Sequence, residues 1–91
     1  MMVSVVIPCY NRSSVLDNAI STVCAQTYED FEVIVVDDGS EDVKVSQEIV
    51  REKRDPRIRF LKHAENRGQT AATYTGIRAS SGLCIALLDS D

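Results

Sequence analysis

Val33-Ile34-Val35-Val36-Asp37-Asp38-Gly39-Ser40 is an apolar, β-branched run that turns acidic at a single step and then enters a turn. An uninterrupted Val/Ile run without polar alternation is what a strand covered on both faces requires. Asp-Gly suits the turn after it, and Ser40 suits a helix cap with Glu41 and Asp42 in the first turn. The segment from Phe31 to Ser40 therefore predicts a buried strand feeding a helix. The same unit recurs on either side. Upstream, Val3-Ser4-Val5-Val6-Ile7 predicts a first strand. It leads through Pro8-Cys9-Tyr10-Asn11 into a helix with the apolar stripe Val15, Leu16, Ala19, Ile20, Val23 and Cys24. Ser14 and Asp17 fit a capping box at its start.

Downstream of Ser40 the second helix has a thinner apolar face, Val45, Ile49 and Val50, and Asp55-Pro56 is placed to stop it. Ile58-Arg59-Phe60-Leu61 alternates more and predicts a strand nearer a sheet edge. Asn66-Arg67-Gly68 leads into a third helix over about Thr70 to Ser80. Gly76 inside it permits close packing, and Gly82 lies where a C′ glycine belongs. Leu83 to Leu88 predicts a fourth strand, which runs into Asp89-Ser90-Asp91 and the end of the chain. The pattern β-α-β-α-β-α-β with short links predicts an α/β fold in three layers, α/β/α, around a mainly parallel, Rossmann-like sheet. Because the chain ends directly after a buried-type strand, a truncated domain is expected.

The 91 residues carry 44% hydrophobic and 26% charged residues, which suits one small globular domain or part of a larger one. A net charge of −4 gives no support for nucleic-acid binding. The basic segment Arg51 to Arg59 is interrupted by Glu52 and Asp55 and reads as a solvated helix end. Cys9, Cys24 and Cys84 are odd in number, lack CxxC spacing and sit among apolar residues, so they read as small core residues in a reducing cytoplasm. No apolar run reaches the roughly 18 residues of a membrane span, and Val3 to Ile7 is too short for a signal peptide. A cytoplasmic setting is expected, with the inner face of a membrane open to a longer parent. Exposed strand edges offer a route to self-association.

Ligands of parallel sheets bind beyond the carboxyl ends of the strands. Pro8, Cys9, Tyr10 and Asn11, then Asp37 and Asp38, then Asp89 and Asp91 all fall at such ends. Asp37 and Asp38 suit hydrogen bonds from a ribose or base, or simply a turn. Tyr10 suits stacking on a planar base, and Asn11 a bond to that base or a helix cap. Arg67, at the start of the third helix, suits a phosphate or solvent. Asp89 and Asp91, spaced i, i+2, suit a hard cation, Mg²⁺ or Mn²⁺, or a solvated strand end. His63 has no partner at fixed spacing and reads as a surface or edge residue. There is no G-x-G-x-x-G and no P-loop, so phosphates here call for a cation.

These blocks, in order along the whole chain, resemble the family 2 glycosyltransferases, which have the GT-A fold. Val3 to Arg12 resembles their opening and Gln26 to Ser40 their next block. Asp55 to Arg59, Asn66-Arg67-Gly68 and Leu88-Asp89-Ser90-Asp91 resemble their later blocks, and the last of these fits their DxD motif. The resemblance implies that residues 1–91 are the N-terminal donor-binding part of such a domain, truncated at the DxD motif. It implies a nucleotide-sugar donor, often a UDP-sugar, and a divalent cation. The donor would meet the loop from Pro8 to Tyr10, Asp38 would meet the base, and Asp89 and Asp91 the ribose and the metal-bound diphosphate. The sugar would pass, with inversion, to a glycan, lipid-linked or other hydroxyl acceptor, as in polysaccharide or cell-envelope synthesis. The family's general base lies beyond the DxD motif, so this segment is expected to be inactive alone. One departure stands out: Thr73-Tyr74 occupies the place where the family usually has Arg-Asn. A nucleotidyltransferase and a non-catalytic nucleotide-binding module are the alternative readings.

Overall fold

The computed structural model describes residues 2–26, 29–82 and 84–87. Its elements run β1 (Val3–Cys9), α1 (Ser13–Cys24), β2 (Phe31–Asp37), α2 (Val43–Lys53), β3 (Ile58–Lys62), α3 (Gln69–Ala79) and β4 (Cys84–Leu87). The predicted alternation is present, with ends displaced by a few residues at most. The strands form one sheet in the order β3-β2-β1-β4, with every neighbouring pair parallel. Val3 lies opposite Phe31, Cys9 opposite Asp37, and Val6 opposite Leu87. The alternating β3 takes one end of the sheet, as its sequence predicts.

This order explains the layers. Right-handed crossovers moving one way, β1 to β2 to β3, put α1 and α2 on one face. The return from β3 past β2 and β1 to β4 puts α3 on the other. On the first face Val5, Ile7, Phe31, Val33 and Val35 pack under Leu16, Ile20 and Val23 of α1, with Ile49 and Val50 of α2 at the margin. On the second, Ile34 and Val36 meet Ala72, flanked by Leu61 and Ala79. Burial of each large aliphatic side chain contributes about 1.5–3 kcal/mol. The small residues of α3 serve a close approach. A Cβ on Gly76 would stand 2.3 Å from Val6 Cγ1, so only glycine lets this helix lie so near the sheet.

Helix ends depart from the local expectations. α1 starts at Ser13 with no side-chain cap of its own, so Ser14 and Asp17 form no capping box. The Ser13 N–H instead donates to Asp42 Oδ2 at 3.1 Å, and Asp17 pairs with Lys53 of α2. Ser40 does not cap α2, which starts after Asp42 and has no acid in its first turn. α2 ends at Lys53 on a left-handed Arg54, before Asp55-Pro56 is reached. Asp55 braces Arg57 at 2.8 Å, and that guanidinium lies 4.2 Å from the centre of the Phe31 ring. Gly82 is not a C′ glycine. Ser80 closes α3 in extended backbone, and the Gly82 N–H donates to Ser4 Oγ at 2.8 Å.

Ser4 belongs to a polar knot at the amino end of the sheet. Its hydroxyl donates to Glu32 Oε2 at 2.6 Å, as does the Ser81 N–H at 2.6 Å, while Arg59 lies 3.6 Å from Glu32 Oε1 and donates to the Ala79 carbonyl at 2.7 Å. Burial opposes ionisation of Glu32. The Ser4, Ser81 and Gly82 donors and the Arg59 charge outweigh it and hold the carboxyl below its ordinary value. No helix among the described residues is long and apolar enough to cross a membrane.

Candidate functional site

The carboxyl ends of β1 and β2 are stitched together by hydrogen bonds between their loops. The Asp38 N–H donates to the Cys9 carbonyl at 2.9 Å. The Asn11 N–H donates to Ser40 Oγ at 2.8 Å, and Asn11 Oδ1 accepts from the Glu41 N–H at 2.9 Å. Asn11 adopts φ 51, a left-handed conformation that Asn tolerates better than most side chains. Its side chain thus serves the neighbouring loop through Oδ1 and not the start of α1. Ser40, expected to cap α2, serves the same joint.

The adjacent acids have opposite surroundings. Asp37 is fully buried; its Oδ2 accepts from the Ser40 N–H at 2.9 Å and its Oδ1 from the Cys9 thiol at 3.8 Å. These are the bonds of a tight turn. Burial, with Asp37 beside it, pushes the Cys9 thiol up to about 12, so it stays protonated at neutral pH. Cys9 and Cys24 are both free thiols, as expected of core residues. Asp38 reaches the other way. Its Oδ1 accepts from the Arg67 N–H at 2.9 Å and its Oδ2 from the Gly68 N–H at 2.8 Å, while its carbonyl accepts from Asn66 Nδ2 at 3.3 Å. The block Asn66-Arg67-Gly68 is thereby explained as the cradle of one carboxylate. Gly39, at φ +73, brings the two loops into contact: a Cβ there would stand 2.4 Å from the Asn66 nitrogen.

His63 completes this cradle, with Nδ1 2.8 Å from Asp38 Oδ1 and Nε2 2.7 Å from Thr75 Oγ1. By sequence it reads as a surface or edge residue; in the fold its side chain is only 8% exposed. The available signal was positional, since His63 directly follows β3 at the same sheet edge. Burial raises the Asp38 carboxyl, but the bonds from His63, Arg67 and Gly68 prevail and hold it below the usual carboxylate range. Tyr10 is 46% exposed on this edge, and the side chain of Arg67 is exposed as well. A hollow of about 200 Å³ opens alongside, lined in part by Ser40, Val43, Lys62 and His63. Tyr74 is 56% exposed on α3, where it lines a separate hollow of about 360 Å³ with Thr70, Thr73 and Ile77.

Of the expected site residues, Pro8, Cys9, Tyr10, Asn11, Asp37, Asp38 and Arg67 gather at one edge of the sheet. Asp89 and Asp91 lie outside the described residues. Among the described residues no three His, Cys, Asp or Glu side chains cluster as a metal site. The carboxylates of Asp37 and Asp38 both accept hydrogen bonds from protein donors.

A parallel sheet whose strand order reverses beside β1, with polar loops gathered at the carboxyl edge there, defines the Rossmann-like class of ligand-binding α/β domains. Comparison with known proteins makes the assignment specific. The family model "Glycosyl transferase family 2" matches residues 4–91, and the chain belongs to that family. It is 47% identical over 89 residues to an uncharacterized glycosyltransferase of Rickettsia bellii, covering 98% of this chain and 13% of that protein. It is 38% identical over 90 residues to the Escherichia coli UDP-Glc:alpha-D-GlcNAc-diphosphoundecaprenol beta-1,3-glucosyltransferase WfgD, covering 99% of this chain and 35% of that one. Among solved structures, the mannosyltransferase PcManGT from Pyrobaculum calidifontis, in complex with GDP-Man and Mn²⁺, superposes with a TM-score of 0.87 at 27% identity. That match covers 98% of this chain and 27% of the mannosyltransferase. The fold is that of the GT-A glycosyltransferases.

Proposed function

We propose that this segment is the donor-nucleotide-binding part of a glycosyltransferase that uses a nucleotide sugar, a UDP-sugar by preference. The observation that carries the reading is the Asp38 cradle at the sheet's carboxyl edge, beside exposed Tyr10 and Arg67. Tyr10 would stack on the base, Asp38 would accept from a base N–H, and Arg67 would face the phosphates. Asn11, Asp37 and Cys9, with Pro8 before them, shape the loops beneath. Asp89 and Asp91 would hold Mg²⁺ or Mn²⁺, with Asp89 also serving the ribose. The cation, when bound, supplies positive charge to the leaving diphosphate.

The reaction forms a bond between the acceptor oxygen and the anomeric carbon as the bond from that carbon to the diphosphate oxygen breaks. The nucleoside diphosphate leaves with the electron pair, the configuration inverts, and the acceptor proton passes to a base. The donor-site residues are assigned to nucleotide and cation and not to that base, and this segment is read as binding the donor without transferring sugar alone. The acceptor would be a glycan, lipid-linked or other hydroxyl, met in the cytoplasm or at the inner face of a membrane. Self-association through the outer edges of β3 and β4 belongs to the same reading.

Calorimetric titration with UDP, with and without Mn²⁺, tests it. Binding that strengthens with Mn²⁺, together with no transfer of labelled sugar by these 91 residues, is expected. Absence of nucleotide binding overturns the donor-site reading, and measured transfer overturns the inactivity of the segment.

A further inference from the structure

Asp38, His63 and Thr75 form a buried polar chain that runs from the loop after β2, past the end of β3, into α3. None of the links is local, for His63 is 25 positions from Asp38 and 12 from Thr75. An ionised Asp38 only accepts, so His63 Nδ1 carries a hydrogen and donates. The Thr75 hydroxyl lies 3.0 Å from the Ala71 carbonyl and 2.7 Å from His63 Nε2. Turned toward Ala71, it leaves a lone pair for an Nε2–H; turned toward His63, it donates to a bare Nε2. The ring is held at both ends in either arrangement.

The consequence falls on Asp38. The Arg67 N–H and His63 together occupy Oδ1, whereas among the described residues Oδ2 takes only the Gly68 N–H. A carboxylate oxygen accepts two hydrogen bonds, so Oδ2 keeps one acceptor direction. Held by the Arg67–Gly68 loop alone, the carboxylate would follow that loop. His63 ties it also to the end of β3 and to α3. We propose that His63 is a positioning residue for the donor site: it fixes the Asp38 carboxylate so that the remaining direction at Oδ2 meets a base N–H, and Thr75 fixes His63. This rests on the proposed nucleotide site.

The test separates the two ring nitrogens. His63→Asn keeps an amide donor near the Nδ1 position and gives up Thr75; His63→Gln places its amide near Nε2 and gives up Asp38. UDP affinity with Mn²⁺ is measured on variants whose folding is checked by circular dichroism and thermal melting. His63→Gln is expected to weaken UDP binding about tenfold or more, the worth of one charge-assisted hydrogen bond, and His63→Asn by less than about threefold. A purely structural role would lower both melting temperatures and leave the affinity of the folded protein unchanged; that result overturns the proposal. Should His63→Gln fail to fold, Thr75→Val, which frees the far end of the ring, carries the same test. Weaker binding that Thr75→Ser restores supports the proposal, and unchanged binding overturns it. Wild-type protein that binds no UDP overturns the donor-site reading itself, and this inference with it.

Discussion

Two adjacent carboxylates, Asp37 and Asp38, show how far one peptide step changes a residue's part. Asp37 turns into the face shared with α1 and α2 and closes its own turn through Ser40. Asp38 turns toward residues 63–68 and gathers donors from 25 to 30 positions away. Because the folded Asp38 carboxyl sits below its unfolded value of about 3.9, its stabilisation is fully present above that value and is lost as pH falls through the folded value. Urea midpoints measured between about pH 5 and pH 2 should therefore fall with acidification in the wild type. Asp38→Asn should show a shallower fall from a lower starting stability, because its amide nitrogen opposes an N–H donor. Equal slopes for the two proteins would show that Asp38 carries no such linkage.

At the scale of the element, the apolar stripe of α1 and the alternation of β3 were legible because periodicity is local; on α2 only Ile49 and Val50 of the expected face pack on the core, while Val45 is exposed and Ser46 is buried. The caps were not legible. Ser14, Asp17 and Ser40 have the right chemistry at the right spacing, yet Asp42, 29 positions away, receives the Ser13 N–H, and Ser40 receives that of Asn11. A long-range donor–acceptor pair displaced the local one in each case. Gly76 illustrates the same competition in α3. In an isolated helix Gly→Ala is favourable by roughly 0.5–1 kcal/mol. Here the new methyl would stand 2.3 Å from Val6 Cγ1 and 3.3 Å from Val36 Cγ2, both on fully buried residues. Gly76→Ala should cost about 1–3 kcal/mol in denaturant unfolding, the usual range for overpacking. A stabilised variant would mean that α3 lifts from the sheet at little cost.

Across the whole molecule the two ends of the sheet have separate tasks. The carboxyl end gathers the loops of the candidate site; the amino end holds the Glu32 knot, which joins β1, β2, β3, the end of α3 and the link to β4. Glu32→Gln should lower stability by about 1–3 kcal/mol, since Ser4 and Ser81 lose a charged acceptor. The urea midpoint should fall with the slope unchanged, and the UDP affinity of the folded protein should stay at the wild-type value. A change in affinity would show that the two ends are coupled. His63→Gln should instead lower the UDP affinity of the folded protein, which makes it and Glu32→Gln a direct comparison of site and frame.

By itself the sequence determined the alternation of strands and helices, the parallel three-layer class and the family, and it put Pro8 to Asn11, Asp37 and Asp38 at strand ends. Those properties follow from hydrophobic period, β-branching and the residues that break runs, all of which act over a few positions. Only the tertiary structure decided the order β3-β2-β1-β4, the separate fates of Asp37 and Asp38, and the burial of His63 between Asp38 and Thr75. Those depend on which distant groups meet once the crossovers have stacked the layers. A buried carboxylate takes whichever N–H donors the fold brings within about 3 Å, whatever their separation along the chain.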